Sequence, residues 1–335
     1  MKASGVPRQP AVDALMKIII AGGSGLVGTR LSQSLAGDGH EVVVLSRSPR
    51  QSGAVRSVYW DGSNLDTWVE ELERADVVIN LAGRSVNCRY NARNRREIMG
   101  SRIDWTRVLA QAISGLVNPP ATWLHASTAT IYAHRYDAPN DERSGILGGS
   151  EPGVPETWRF SIDVAQAWER ELEAAETPHT RKVAMRTAMV MSPDQGSVFD
   201  VLLGLVRRGL GGKVGDGRQF ISWLHHEDFA RAVRWLIEHD DVSGPVNLAS
   251  PSPLPQAEFM RVLREAWGAP VGLPATQWML EIGTFFLRTE SELILKSRRV
   301  VPGRLLDAGF TFSHPTWSEA ARDLCDEWRR LRSAS

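Results

Sequence analysis

An apolar triplet, Ile18-Ile19-Ile20, runs directly into Ala21-Gly22-Gly23-Ser24-Gly25-Leu26-Val27-Gly28. Two overlapping patterns are present, Gly23-x-Gly25-x-x-Gly28 and Gly22-x-x-Gly25-x-x-Gly28. Glycine lets a strand turn sharply into a helix, lets a ligand approach the backbone, and lets that helix pack closely on the strand. The free N–H groups that open such a helix suit an anion, and the pyrophosphate of a dinucleotide fits the arrangement. A lone GxGxxG is weak; here it follows the first apolar run and opens the first helical pattern, which is the context that gives it meaning.

The rest of the first half continues in the same rhythm. Short apolar runs at Glu41 to Leu45, Asp76 to Asn80, Trp123 to Ala126 and Lys182 to Met185 read as strands buried on both faces. Between runs, Leu26 to Ala36, Asn91 to Leu116 and Trp158 to Ala175 carry helical periodicity. Alternating strands and helices predict an α/β, Rossmann-type doubly wound parallel sheet. After Arg186 a glycine-rich stretch (Gly204 to Gly217) reads as loop, followed by a helix over Glu227 to Glu238 and a returning strand over Pro245 to Leu248. The proline-rich segment Ala249 to Pro255 reads as a boundary. Helical patterns follow at Gln256 to Trp267, Thr276 to Leu287 and Trp317 to Leu331. The expected division is a flexible leader over 1–16, a dinucleotide-binding Rossmann domain over 17–250, and a smaller, mainly helical C-terminal substrate domain over 251–331. Residues 188–219 make an excursion toward the substrate lobe.

Composition excludes several function classes. Lys+Arg and Asp+Glu are equal at 39 each, so no net charge draws the chain to nucleic acid or an anionic membrane. Without an apolar run long enough to span a bilayer, no membrane partner is expected. Two distant cysteines, Cys88 and Cys325, read as free thiols in a reducing cytoplasm. The first fifteen residues lack the apolar core of a signal peptide.

The cofactor type can be read from the end of the second run. An NAD site places Asp or Glu there to bind the ribose 2′-hydroxyl. This chain has Leu45-Ser46-Arg47-Ser48, with no acid. Arg47 can pair with a 2′-phosphate, and Ser46 can add a hydrogen bond, so NADP(H) is the expected cofactor.

These residues carry a resemblance. From Lys17 to about Leu331 the chain resembles the extended short-chain dehydrogenase/reductases. More narrowly, it resembles the NAD(P)-dependent epimerase family proteins with a C-terminal domain of unknown function. The matching motifs are the glycine loop, Ser46-Arg47, Val78-Ile79-Asn80-Leu81-Ala82-Gly83 and Glu97-Ile98-Met99-Gly100-Ser101-Arg102. Further on come Gly209-Leu210-Gly211-Gly212, Gly217 to His225 and Val300 to Phe310. The resemblance implies that Leu81 and Ala82 line the cofactor, that Glu97 and Arg102 reach the dinucleotide, and that Val190 contacts it near the nicotinamide.

The same comparison exposes a gap. Short-chain dehydrogenases use Tyr and Lys four residues apart on one helix, lysine easing proton transfer by tyrosine. Here the residues four after Tyr59, Tyr90, Tyr132 and Tyr136 are Ser63, Asn94, Tyr136 and Asn140, so no YxxxK exists. The superfamily also carries a substrate-binding Ser or Thr and a nearby Tyr just past the fifth strand. Ser127-Thr128-Ala129-Thr130-Ile131-Tyr132 stands there, making Ser127 and Tyr132 the candidate catalytic groups.

No metal is expected. His225 and His226 are adjacent on a strand and point to opposite faces, while Glu227 and Asp228 suit a helix start. Two functions remain open. One is an NADP(H)-dependent oxidoreductase or epimerase-like enzyme (oxidoreductase or isomerase chemistry) acting on a small polar substrate such as a nucleotide sugar. The other is an NADP(H)-binding sensor with little catalysis.

Overall fold

The computed structural model describes residues 15–151, 154–274 and 296–333. In chain order the strands are β1 (Lys17–Ala21), β2 (Glu41–Ser46), β3 (Arg56–Tyr59), β4 (Val77–Asn80), β5 (Thr122–Thr128), β6 (Arg181–Thr187), β7 (Met189–Met191), β8 (Phe220–Ile221), β9 (Trp223–His225), β10 (Gly244–Leu248) and β11 (Leu254–Pro255). The helices are α1 (Leu26–Gly37), α2 (Ala92–Ser114), α3 (Glu156–Ala174), α4 (Val198–Arg207), α5 (His226–Glu238), α6 (Gln256–Trp267), α7 (Gly303–Asp307) and α8 (Trp317–Ser333).

Seven strands pair in the order β10-β6-β5-β4-β1-β2-β3, every pair parallel. Ile19 of β1 sits opposite Val43 on one side and Val78 on the other. The apolar runs follow from burial of both faces. Ile18 and Ile20 pack with Leu31 and Leu35 of α1 and Phe229 and Val233 of α5. Ile19 and Ala21 pack with Trp123 and with Leu109 and Ile113 of α2. With neither face solvated, the strand has no reason to alternate polar and apolar residues. Strand order reverses beside β1, because the chain builds outward to β3 and then crosses to β4. In an open parallel sheet the crevice outside the strand C-termini at that reversal is where ligands bind.

The helical C-terminal region has its own core. Met191, Phe199 and Leu203 meet Trp223, Phe259, Trp317 and Leu324, so α4, α6 and α8 share one apolar interior. Phe259 and Trp317 stack with centroids 3.9 Å apart.

Two points of the sequence reading need amendment, and two expectations lie outside what is described. β3 was not expected: Arg56-Ser57-Val58-Tyr59 is a short, half-exposed edge strand that lacks the apolar signature. Gly204 lies inside α4 rather than in a loop; the Ser197 hydroxyl caps that helix by accepting from Asp200 N. The expected helix over Thr276 to Leu287 and the leader up to residue 14 lie outside the described residues.

Candidate functional site

The glycines of the β1–α1 turn serve different ends. Gly22 has φ +75°, and a Cβ there would stand 2.6 Å from Ala82 Cα. The Leu81-Ala82 segment therefore packs directly on the turn, with Leu81 N donating to Ala21 O at 2.8 Å. A Cβ at Gly28 would meet Gly23 Cα at 2.6 Å, so this glycine closes helix against strand. Gly25 is different: the nearest atom to its built Cβ is Gly22 O at 3.9 Å. It is the N-cap of α1 and no side chain caps that helix. Bare N–H groups at a helix N-terminus facing open space fit an anion such as a pyrophosphate.

The end of β2 lies beside this cradle. The buried Ser46 hydroxyl donates to Ser24 Oγ at 3.1 Å and accepts from Ser48 N. Arg47 is exposed, with its guanidinium carbon 5.4 Å from the centroid of the Trp105 ring. Across the cradle, Ala82 N donates to Asn80 Oδ1 at 3.0 Å. Arg102, on α2, packs its guanidinium against Gly83 and over the Trp168 ring at 4.9 Å, donating to the carbonyls of Arg84 and Ile98. Burial pulls its pKa down to about 10. Among the described residues no carboxylate pairs with it, which leaves its charge open to an anionic ligand. Glu97, by contrast, is committed to ion pairs with Arg84 and Arg93.

Beyond the cradle, Leu26 and Val27 of α1 meet Ala188 and Val190 around a cavity of about 320 Å³. His226 and Arg30 give it a polar edge. Arg30 donates to Asp194 and to Glu327, and His226 lies 2.9 Å from the same Glu327 carboxylate. This cluster links α1, the β7–α4 loop, α5 and α8. Sequence reading gave no hint of it, because its members are scattered along the chain.

The hydroxyls expected to act on substrate are engaged elsewhere. Ser127 Oγ donates to Glu169 at 2.5 Å. Glu169 is held by Arg186 through Nε at 2.8 Å and Nη2 at 2.7 Å. The third nitrogen, Nη1, donates to Tyr132 Oη at 3.0 Å, and Tyr132 donates to Asn247 Oδ1 at 2.9 Å. Tyr132 is 2% exposed, and burial pushes its pKa above the usual phenol value despite the nearby Arg186 charge. Tyr132, the candidate acid, thus has its proton directed at Asn247 inside the protein. α3 contains neither tyrosine nor lysine. Phe160 meets Tyr90 edge to face at 5.2 Å, with the Arg95 guanidinium over its ring at 4.8 Å.

His225 and His226 do not point to opposite faces as expected: β9 ends at His225 and α5 begins at His226, so strand alternation stops between them and their rings lie 4.5 Å apart, while the His314 ring stacks on His225 at 3.8 Å. With Glu227, His225 and His314 place candidate ligand atoms within 4.8 Å of one another. His225 Nδ1, however, accepts from Glu227 N at 3.3 Å. In the tautomer this contact selects, the ring proton sits on Nε2, 3.3 Å from Asp323 Oδ2. Asp228, fully buried, accepts from the backbone N–H groups of Ser313 and His314, pinning the C-terminal region to the start of α5.

Residues 18–249 match the model of the NAD dependent epimerase/dehydratase family, and 275–324 match a domain of unknown function, DUF1731. The epimerase family protein SDR39U1 of Bos taurus is 33% identical over 315 residues, covering 92% of this chain and 99% of its own length. Epimerase family protein YfhF of Bacillus subtilis is 31% identical, covering 89% and 94%. The crystal structure of human SDR39U1 (isoform 2) with NADPH superposes with a TM-score of 0.78 at 29% identity, covering 93% of this chain and 99% of that one.

Proposed function

The chain belongs to the NAD-dependent epimerase/dehydratase family, and on that premise we propose that it is an NADP(H)-dependent oxidoreductase or epimerase-like enzyme. The observation that carries the reading is Gly25. It leaves a side of the turn where a Cβ would meet only Gly22 O, at 3.9 Å, at an uncapped helix start, with Arg47 where an NAD site would place an acid. The human relative whose structure holds NADPH supports the same reading.

In this assignment the α1 N–H groups, behind Gly22, Ser24 and Gly25, hold the pyrophosphate, and Gly28 keeps that helix close. Ser46 and Arg47 take the 2′-phosphate. Leu81 and Ala82 line the far wall, Arg102 supplies positive charge, and Glu97 acts through Arg84. Leu26, Val27 and Val190 form the apolar wall toward the nicotinamide. When bound, the dinucleotide supplies or accepts a hydride. Ser127 keeps its place at the end of β5, oriented by Glu169, and Tyr132 buttresses Arg186 behind it. We take 17–250 as the dinucleotide-binding unit and 251–331 as its helical cover, with the 188–219 excursion joined to that cover through α4, which shares a core with α6 and α8. The substrate class favoured is a small polar molecule of the nucleotide-sugar kind; a nucleoside-diphosphate sugar epimerase from Corynebacterium glutamicum superposes at a TM-score of 0.72 and 26% identity, covering 96% of this chain and 62% of that one. Both cysteines are free and no described helix is long and apolar enough to cross a membrane, which fits a cytoplasmic enzyme.

One observation favours a second reading, an NADP(H) sensor: α3 presents an aromatic face where the family's proton-transfer pair would lie. Titration of NADPH and NADH, followed by a nucleotide-sugar panel monitored by NADPH absorbance for net hydride transfer and by product chromatography for epimerisation, which returns the hydride and consumes no cofactor, separates the readings. Tighter NADPH with turnover supports the enzyme; tighter NADPH with no turnover on the whole panel supports the sensor; equal affinity for both cofactors refutes the NADP(H) assignment.

A further inference from the structure

Arg47 is an exposed arginine at the end of a strand, and an exposed arginine is a mobile chain whose ordering opposes ligand binding. Here it is not left mobile. Its guanidinium carbon stands 5.4 Å from the centroid of the Trp105 ring, within the range of a cation–π contact. Among the described residues no carboxylate pairs with Arg47, so the aromatic face orders the cation without neutralising it.

Trp105 is itself fixed from two sides. Trp60 meets it edge to face at 6.0 Å and continues to Trp68 at 5.6 Å. Gly62 lies flat against it: a Cβ there would stand 2.5 Å from Trp105 Nε1, and the residue's φ is +83°. The turn that carries Gly62 is tied by Asp61, which accepts from Ser63 N and Asn64 N, and by Trp68 Nε1 donating to Asn64 O at 2.9 Å. Trp60 N donates to Ser46 O at 3.0 Å, joining this assembly to the residue before Arg47. Ser46 in turn reaches the glycine loop through Ser24. A ring from the middle of α2, a glycine turn after β3 and an arginine after β2 thus form one corner beside the open side of the cradle.

We propose that Trp105 is a positioning residue that determines cofactor specificity: its ring presents the Arg47 guanidinium, already ordered, to a phosphate on the 2′ position of the cofactor's ribose. The proposal rests on the NADP(H) reading of the site. It assigns selectivity to a residue that touches Arg47 rather than the phosphate.

The test is calorimetric titration with NADPH, NADH and adenosine 2′,5′-bisphosphate. Trp105→Leu weakens NADPH and the bisphosphate by about two- to fivefold, the worth of a partly exposed cation–π contact, and leaves NADH unchanged. Trp105→Phe keeps an aromatic face and retains most of the preference. In an Arg47→Ala background, Trp105→Leu has no further effect on NADPH. Gly62→Ala, which crowds the indole, moves NADPH affinity in the same direction as Trp105→Leu. Equal weakening of NADPH and NADH by Trp105→Leu marks a purely structural role and overturns the proposal, as does unchanged NADPH affinity in both Trp105 variants while Arg47→Ala abolishes the preference. If Arg47→Ala itself leaves the preference intact, the 2′-phosphate assignment falls, and this proposal with it.

Discussion

Gly25 and Gly28 look interchangeable in the sequence, yet the structure predicts opposite failures for them. Gly25 has φ −76° and ψ 170°, ordinary extended backbone that valine adopts without strain. Its built Cβ meets nothing closer than 3.9 Å. Gly25→Val should therefore fold with a melting temperature near that of the unmutated protein. Its side chain fills the space the pyrophosphate needs. Losing two charge-assisted N–H contacts to phosphate, at about 1.5–3 kcal/mol each, weakens NADPH more than roughly a hundredfold. Gly28→Ala does the reverse. Its Cβ would lie 2.6 Å from Gly23 Cα and 2.7 Å from Gly23 O, and a backbone cannot rotate out of the way as a side chain does. α1 must withdraw by about 1 Å, loosening Leu31 and Leu35 against β1, for a cost of about 1–3 kcal/mol and a melting point lower by a few degrees. Circular dichroism melts and NADPH titration on the two variants check this. Normal NADPH affinity in Gly25→Val would show the cradle is not the cofactor site. Equal melting points for the two variants would refute the division of labour between the glycines.

Three further outcomes follow from the buried polar groups. Tyr132→Phe strands Asn247 Oδ1 and one Arg186 N–H, so urea unfolding should show a loss of about 1–3 kcal/mol; unaltered stability with lost turnover would return Tyr132 to the chemistry. Glu169→Gln breaks the buried Arg186 pair at 2.7 Å and should cost about 3–5 kcal/mol, and a variant as stable as the parent would show the pair to be dispensable. Burial pulls His125 down to about 3 and, with His226, His314 and Arg30 adding to it, His225 to about 2. Both are neutral in the fold, so their contribution is complete above the unfolded value near 6.5 and is lost as pH falls from there toward 3, at roughly 1.4 kcal/mol per pH unit for each group. Urea midpoints measured between pH 7 and 4 check the sign, and His125→Gln should reduce the slope by about one proton's worth.

What could be read without coordinates was whatever is decided locally. β1, β2, β4, β5, β6 and β10 were legible because each is buried on both faces, and only an apolar run satisfies that. The glycine turn was legible because Gly25 and Gly28 answer demands within a few residues of themselves, whereas the close approach of Ala82 to Gly22 comes from a distant part of the chain. β3 was not, since an edge strand with one neighbour tolerates Arg56 and Ser57. α4 was hidden by Gly204, which weakens a helical pattern without preventing a helix that Ser197 caps and Phe199, Leu203 and Val206 bury. The Trp105 platform and the Arg30–Asp194–Glu327–His226 cluster could not be read at all. Their partners come from different helices and loops, and nothing in a one-dimensional spacing marks that they meet.

The candidate catalytic pair shows where such reading stops. The order of motifs correctly placed Ser127 at the end of β5 and Tyr132 close behind it. Position does not decide what a hydroxyl does; the donors and acceptors around it do. Arg186 is buried, and a buried guanidinium is tolerated only when its N–H groups are met. Glu169 meets two of its nitrogens and Tyr132 meets the third. Once Tyr132 accepts from Arg186, the proton it can give is directed at Asn247, on the neighbouring strand β10. Ser127 is drawn into the same network by the other side of the story, the Glu169 carboxylate that neutralises the arginine. The two residues that sequence spacing offered as reagents are thus required by one buried ion pair. With α3 lacking both tyrosine and lysine, any proton that Tyr132 gives to a substrate must first be released from Asn247, at the expense of the contacts that hold Arg186.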